Sequence, residues 1–205
     1  MPSARPLHVC VYCSSSAAVT EPHVSVTRSL GAALAEAGHT LVWGGASVGL
    51  MGELARAVRE AGGRTEGIIP ERLLALEIAD VAADDLVITP DMASRKAEMA
   101  RRADAFVALP GGFGTLEELL EQLTLRLLHA HDKPVVLLDS GGFWQPLVAV
   151  FERLYEEQFA RPESRSAYVV APDVLSAMAA LHDDPVVIPS KLMADQVKPP
   201  TGRPT

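Results

Sequence analysis

The sequence predicts an α/β protein of three layers, a mainly parallel sheet with helices on both faces. Three observations predict it. Short apolar runs alternate with amphipathic stretches along most of the 205 residues, as strands and covering helices do. Helix punctuation falls between them, with Gly38 and Pro172-Asp173 as the clearest marks. Glycine-rich turns lead directly from apolar runs into helical stretches, at Gly44–Gly52 and again at Pro110–Thr115.

Taken in order, the first strand is expected at residues 7–13, the apolar run LHVCVYC. A helix follows over 21–37, and Gly38 stands at its C′ position, where positive φ is cheap only for glycine. A strand at 40–43 runs through Gly44 and Gly45 into a helix over 49–61. Strands at 65–69 and 85–89 come next, then a helix over 94–103. The strand at 105–109 enters the second glycine turn and a helix over 115–130. A strand at 134–138, a helix over 144–157, a strand at 168–170 and a helix over 173–181 complete the alternation. There is no internal repeat. One domain is expected over 1–183, and the Pro-rich residues 184–205 read as a poorly ordered tail without a catalytic role.

Composition narrows the function. Hydrophobic residues make up 48% and charged residues 21%, enough apolar surface for a full core. The net charge of −8 argues against broad nucleic-acid binding, which needs a cationic surface. A small anionic ligand held by a few cations and backbone N–H groups is compatible with it. No apolar run is long enough to span a bilayer, and the N-terminus lacks the apolar core of a signal peptide, so the expected setting is the cytoplasm. Cys10 and Cys13 are spaced C-x-x-C, but three-residue spacing on a strand puts them on opposite faces. They read as core residues, and no ligand set for a metal is recognisable.

In an open parallel sheet, ligands bind at the carboxyl ends of the strands. That rule selects the loops at 14–16, 44–52, 89–96 and 110–115. The strongest signal is PGGFGTLEE, from Pro110 to Glu118. Gly111, Gly112 and Gly114 allow close backbone approach, and the helix that follows offers unpaired N–H groups to a phosphate. Thr115 is expected to cap that helix or to give its hydroxyl to the phosphate. Glu117 and Glu118 are expected in the first turn, one of them serving the helix dipole and the other facing the ligand. Arg95 and Lys96 stand at a helix start, where cations oppose the dipole, and a bound anion is the simple compensation. Arg101 and Arg102 read as surface charge. His129 and His131 read as helix-end residues rather than metal ligands or catalysts. Phe143 and Trp144 read as core.

Together these motifs resemble the Lonely Guy family of cytokinin riboside 5′-monophosphate phosphoribohydrolases, many once labelled possible lysine decarboxylases. The resemblance covers about residues 7–180 and rests on PGGFGTLEE and on Arg95-Lys96 upstream of it. GLMG at 49–52, Ile69-Pro70, KAEMA at 96–100 and HDKP at 131–134 support it. It implies a Rossmann-like homodimer acting on a nucleoside 5′-monophosphate with water, and with no cofactor or metal. It implies catalytic roles for Arg95 and Glu118. It implies nucleotide binding by Glu77, Lys96, Gly111, Gly112, Phe113, Gly114, Thr115, Leu116, Glu117 and Thr124. Ser14, Gly45 and Met92, from the neighbouring loops, join that binding set. The chain departs from the family pattern at Ala46, Ala93, Leu125, Leu127 and His129, so an AMP nucleosidase and a non-catalytic nucleotide-binding protein stand as alternatives. No lysine for a pyridoxal Schiff base is recognisable.

Overall fold

The computed structural model describes residues 5–74 and 78–182. Seven strands form one sheet: β1 (His8–Tyr12), β2 (Thr40–Trp43), β3 (Arg64–Pro70), β4 (Asp85–Thr89), β5 (Ala105–Ala108), β6 (Val135–Leu138) and β7 (Val169–Ala171). Their order is β4-β3-β2-β1-β5-β6-β7, and every pairing is parallel. The helices are α1 (Glu21–Glu36), α2 (Gly49–Glu60), α3 (Glu71–Leu74), α4 (Met92–Arg102), α5 (Phe113–Leu127), α6 (Gln145–Glu156) and α7 (Val174–Ala180). Short 3₁₀ segments lie at Ser140–Gly142 and Pro162–Ala167.

Alternation along the central strands divides the core in two. Val9 and Val11 of β1 face one side, packed with Leu30 and Leu34 of α1 and Leu54 and Val58 of α2. Cys10 and Tyr12 face the other, packed with Met99 of α4, Leu119 and Leu123 of α5 and Phe151 of α6. These two cores are the three layers. They also separate the cysteines: Cys10 lies in one and Cys13 in the other, and both are free thiols. Trp144 is fully buried and its indole N–H donates to the Ala108 carbonyl, 3.2 Å away. Among the described residues no helix is long and apolar enough to cross a membrane.

The connection from β4 to β5 carries the chain from the sheet edge back past β3, β2 and β1. Strand order therefore reverses between β1 and β5, and the loops leaving these two strands diverge. That divergence opens a crevice at Ser14 and at Pro110-Gly111.

Local chemistry moves several boundaries from their expected places. α4 begins at Met92, because Asp91 is its N-cap and accepts a 2.7 Å hydrogen bond from the Ser94 N–H. α5 begins at Phe113, with Gly112 at the N-cap. Thr115 is thus the third helical residue, buried against Gly111, and does not cap the helix. Glu117 and Glu118 fall in the second turn, beyond the strongest pull of the dipole. α3 was not foreseen. The expected tail at 184–205 lies outside the described residues.

One surface reading also changes. Arg101 is exposed, but Arg102 is half-buried at the opposite end of the sheet. It joins Glu98 at 2.7 Å, Asp85 at 2.7 Å and Glu66 at 3.0 Å, so it ties α4 to β3 and β4. His129 closes α5: its φ is +58°, its N–H donates to Arg126 and the Ala130 N–H donates to Leu125. That pattern satisfies the last carbonyls of the helix with a histidine where glycine is usual.

Candidate active site

The site lies where α4 and α5 begin, on one face of the sheet. α5 emerges from β5 through Pro110-Gly111-Gly112. Its first intrahelical bond, Leu116 N–H to Gly112 carbonyl, spans 3.0 Å, so the N–H groups of Phe113, Gly114 and Thr115 precede it and are available to a ligand. A Cβ built on Gly112 or on Gly114 meets nothing within 4 Å, so both residues present bare backbone to open space. Gly111 is tight instead: a Cβ there would stand 2.1 Å from the Thr115 hydroxyl oxygen. The turn is therefore close-packed at its root and open at its tip, the form of a phosphate cradle.

Behind the cradle, Arg95 of α4 and Glu118 of α5 form a buried ion pair. Arg95 Nη1 stands 2.8 Å from Glu118 Oε1, and Arg95 Nε donates to the Ile68 carbonyl at 3.0 Å. Both residues are less than one-tenth exposed. Burial pushes the Glu118 carboxyl above the ordinary carboxylate range, and Arg95 pulls against that rise. Gly44 provides the floor: a Cβ there would lie 1.8 Å from Arg95 Nη2. The expected anion opposite Arg95 is thus supplied by the protein itself, through Glu118.

Lys96 behaves the same way on the outer side. Its ammonium pairs with Glu117 and, at 3.3 Å, with Glu121. These contacts raise its pKa above the usual lysine value. Glu117 and Glu121 sit four residues apart on one face of α5, and a groove of about 600 Å³ runs along that face. Phe113, Leu116, Leu120 and Leu125 line it together with Glu117, Glu121 and Thr124.

Most of the expected site residues converge here. Arg95, Lys96, Gly111, Gly112, Phe113, Gly114, Thr115, Leu116, Glu117, Glu118 and Thr124 all lie on the cradle, the ion pair or the groove. Met92 is the exposed first residue of α4. Ser14 lines a separate hollow of about 330 Å³ with Thr20, His23, Gly111 and Phe143, on the other side of the turn. Gly45 has φ +70° and packs against Ile68 and Ile69, which fixes the loop beneath Arg95. Glu77 lies outside the described residues. Gly49 and Gly52 serve packing: a Cβ on Gly49 would meet the Ser15 backbone at 2.5 Å, and one on Gly52 the Ser47 carbonyl at 2.0 Å. Three residues carry more than their sequence signal suggests. Gly44 seats Arg95, Ile68 gives it a carbonyl, and Glu121 shares Lys96. Of these, only Gly44 was marked by the sequence, as part of the glycine turn at 44–52.

Fold and site together define a Rossmann-like α/β protein in which an open glycine turn adjoins a buried Arg–Glu pair. The family model described as "Possible lysine decarboxylase" matches residues 51–181. The chain is 44% identical over 171 residues to the probable cytokinin riboside 5′-monophosphate phosphoribohydrolase LOGL1 of Oryza sativa subsp. japonica, covering 83% of this chain and 77% of that one. It is 43% identical over 174 residues to the cytokinin riboside 5′-monophosphate phosphoribohydrolase LOG5 of Arabidopsis thaliana, covering 85% and 76%. Among solved structures, the molybdenum cofactor carrier protein of Chlamydomonas reinhardtii matches with a TM-score of 0.66 and 30% identity, covering 86% of this chain and 96% of that one. The chain belongs to the Lonely Guy (LOG) family, the cytokinin riboside 5′-monophosphate phosphoribohydrolases.

Proposed function

We propose that this protein hydrolyses the N-glycosidic bond of a cytokinin riboside 5′-monophosphate, releasing the free base and ribose 5-phosphate. The observation that carries the proposal is the buried Arg95–Glu118 pair set directly behind an open phosphate cradle. The N–H groups of Phe113, Gly114 and Thr115 hold the 5′-phosphate, and the positive end of α5 favours its charge. Anchoring the phosphate fixes the sugar over Glu118. As the C1′–N9 bond breaks, its electron pair leaves with the base and the sugar takes on oxocarbenium character. The Glu118 carboxylate stabilises that cation and accepts a proton from the attacking water. The proton that Glu118 takes from water passes on to the departing base, the water oxygen bonds to C1′ and keeps its other hydrogen, and Glu118 returns to its carboxylate. Arg95 holds Glu118 in place and favours its ionised form against the cost of burial.

The same reading includes a homodimer in the cytoplasm. A second copy is the occupant expected on the α5–α6 face, where Leu120, Leu128, Val150 and Leu154 are exposed beside a hollow lined by Leu127 and Phe151. That copy would close the open side of the groove along α5.

The test is base release from isopentenyladenosine 5′-monophosphate, AMP and the unphosphorylated riboside, by wild type and Glu118→Gln. Release from the monophosphate, little from the riboside, and a fall in kcat of about 10²–10⁴ in the variant is the expected result. Near-normal turnover by Glu118→Gln would remove Glu118 from the mechanism. Tight binding of AMP without release from any substrate would make the protein a nucleotide binder.

A further inference from the structure

α5 measures distance from the cradle. Each residue advances about 1.5 Å along a helix, so Glu118 stands about 7 Å beyond Phe113 and Glu121 about 12 Å beyond it. A nucleotide is ordered phosphate, sugar, base. With its phosphate on the first turn of α5 and its sugar at Glu118, its base reaches the level of Glu121. The groove there is walled by Leu116, Leu120 and Leu125, surfaces suited to a flat aromatic ring.

Charge says which part of the ligand meets Glu121. Lys96 is shared by Glu117 and Glu121, so the trio is one cation against two carboxylates. It repels a phosphate and accepts a neutral hydrogen-bond donor. A carboxylate is an acceptor only, and the donor that adenine carries on its heterocycle is the exocyclic N6–H. N6-substituted adenines of the cytokinin type keep one such hydrogen.

We infer that Glu121 is a specificity-determining residue, accepting a hydrogen bond from the N6–H of the base while Lys96 holds it in register. The inference rests on the nucleotide hydrolysis proposed above. A purine without an N6 donor leaves the Glu121 carboxylate facing an apolar C–H edge, and such a mismatch at a group built to hydrogen-bond is heavily penalised.

The test compares kcat/KM for AMP and for purine riboside 5′-monophosphate, which lacks the 6-amino group, in wild type, Glu121→Ala and Glu121→Gln. The two bases differ in leaving ability, but that difference is common to all three proteins and cancels in the ratio. The preference for AMP falls at least about tenfold in Glu121→Ala, and Glu121→Gln, which keeps an acceptor oxygen, restores part of it. A ratio unchanged in Glu121→Ala, with both substrates equally slowed, would mean that Glu121 only holds Lys96 and would overturn the inference while leaving the hydrolysis standing. No base released by the wild type from these two substrates or from isopentenyladenosine 5′-monophosphate would overturn both, whereas release from the last alone keeps the hydrolysis and leaves the inference to the binding comparison that follows. Binding of free adenine against free purine to the wild type, measured by calorimetry, gives the same comparison without a variant. Equal affinities would count against Glu121.

Discussion

Glu118 is held between opposing forces, and its acid limb reports the balance. Burial favours the neutral acid, and Arg95 at 2.8 Å favours the carboxylate, with burial the larger. The working form is the carboxylate. Activity therefore falls as pH drops through the raised pKa, and the acid limb of kcat/KM lies above pH 4.5, the ordinary value for such a group. A limb at or below that value would mean that another group limits the rate. Gly44 belongs to the same scale. A methyl at this position overlaps Arg95 Nη2, and the guanidinium is the movable partner. Gly44→Ala should lower kcat about tenfold or more by turning Arg95 away from Glu118, and should cost about 3–5 kcal/mol of stability because a buried ion pair is broken. A large loss of thermal stability with intact kcat would contradict this.

The N-terminal turn of α5 separates stability from function. Gly114 is helical and its Cβ position is open. Alanine there should stabilise the helix by about 0.5–1 kcal/mol, because glycine is a poor helix former. The same methyl occupies the space the phosphate needs. Gly114→Ala is therefore expected to hold or raise Tm while weakening discrimination of monophosphate from riboside about tenfold. Differential scanning calorimetry and paired KM values measure the two effects. A fall in both would mean that Gly114 packs inward.

Across the whole molecule, one histidine ties the N-terminal strand to the end of α1. His39 is buried, and its Nδ1 accepts the Leu7 N–H at 3.1 Å. Burial, and the nearby His182, lower its pKa below 6.5. A protonated ring cannot accept that bond. The unfolded chain takes up a proton near pH 6.5 and the folded ring resists, so stability falls as pH drops below about 6.5, by up to about 1.4 kcal/mol per pH unit, until the folded pKa is reached. His39→Asn keeps an acceptor and has no titration. Its Tm should decline less than that of the wild type between pH 7.5 and 5.5, and parallel declines would assign the acid sensitivity elsewhere.

Sequence pattern by itself determined the layers, the seven strands to within a residue or two, and the cradle, because apolar periodicity and glycine turns are local signals. It also marked Arg95 and Glu118 through a motif. Their pairing was a different matter. The sequence reading left Arg95 facing a bound anion and put Glu117 and Glu118 in the first turn of α5, because a separation of 23 positions hides that α4 and α5 begin side by side. Only the return of the chain from the edge strand β4 to the central strand β5 brings them within 2.8 Å. The seat that Gly44 makes for Arg95, the Ile68 carbonyl and the sharing of Lys96 by Glu121 follow from that same crossover. They are long-range packing, which no local pattern encodes.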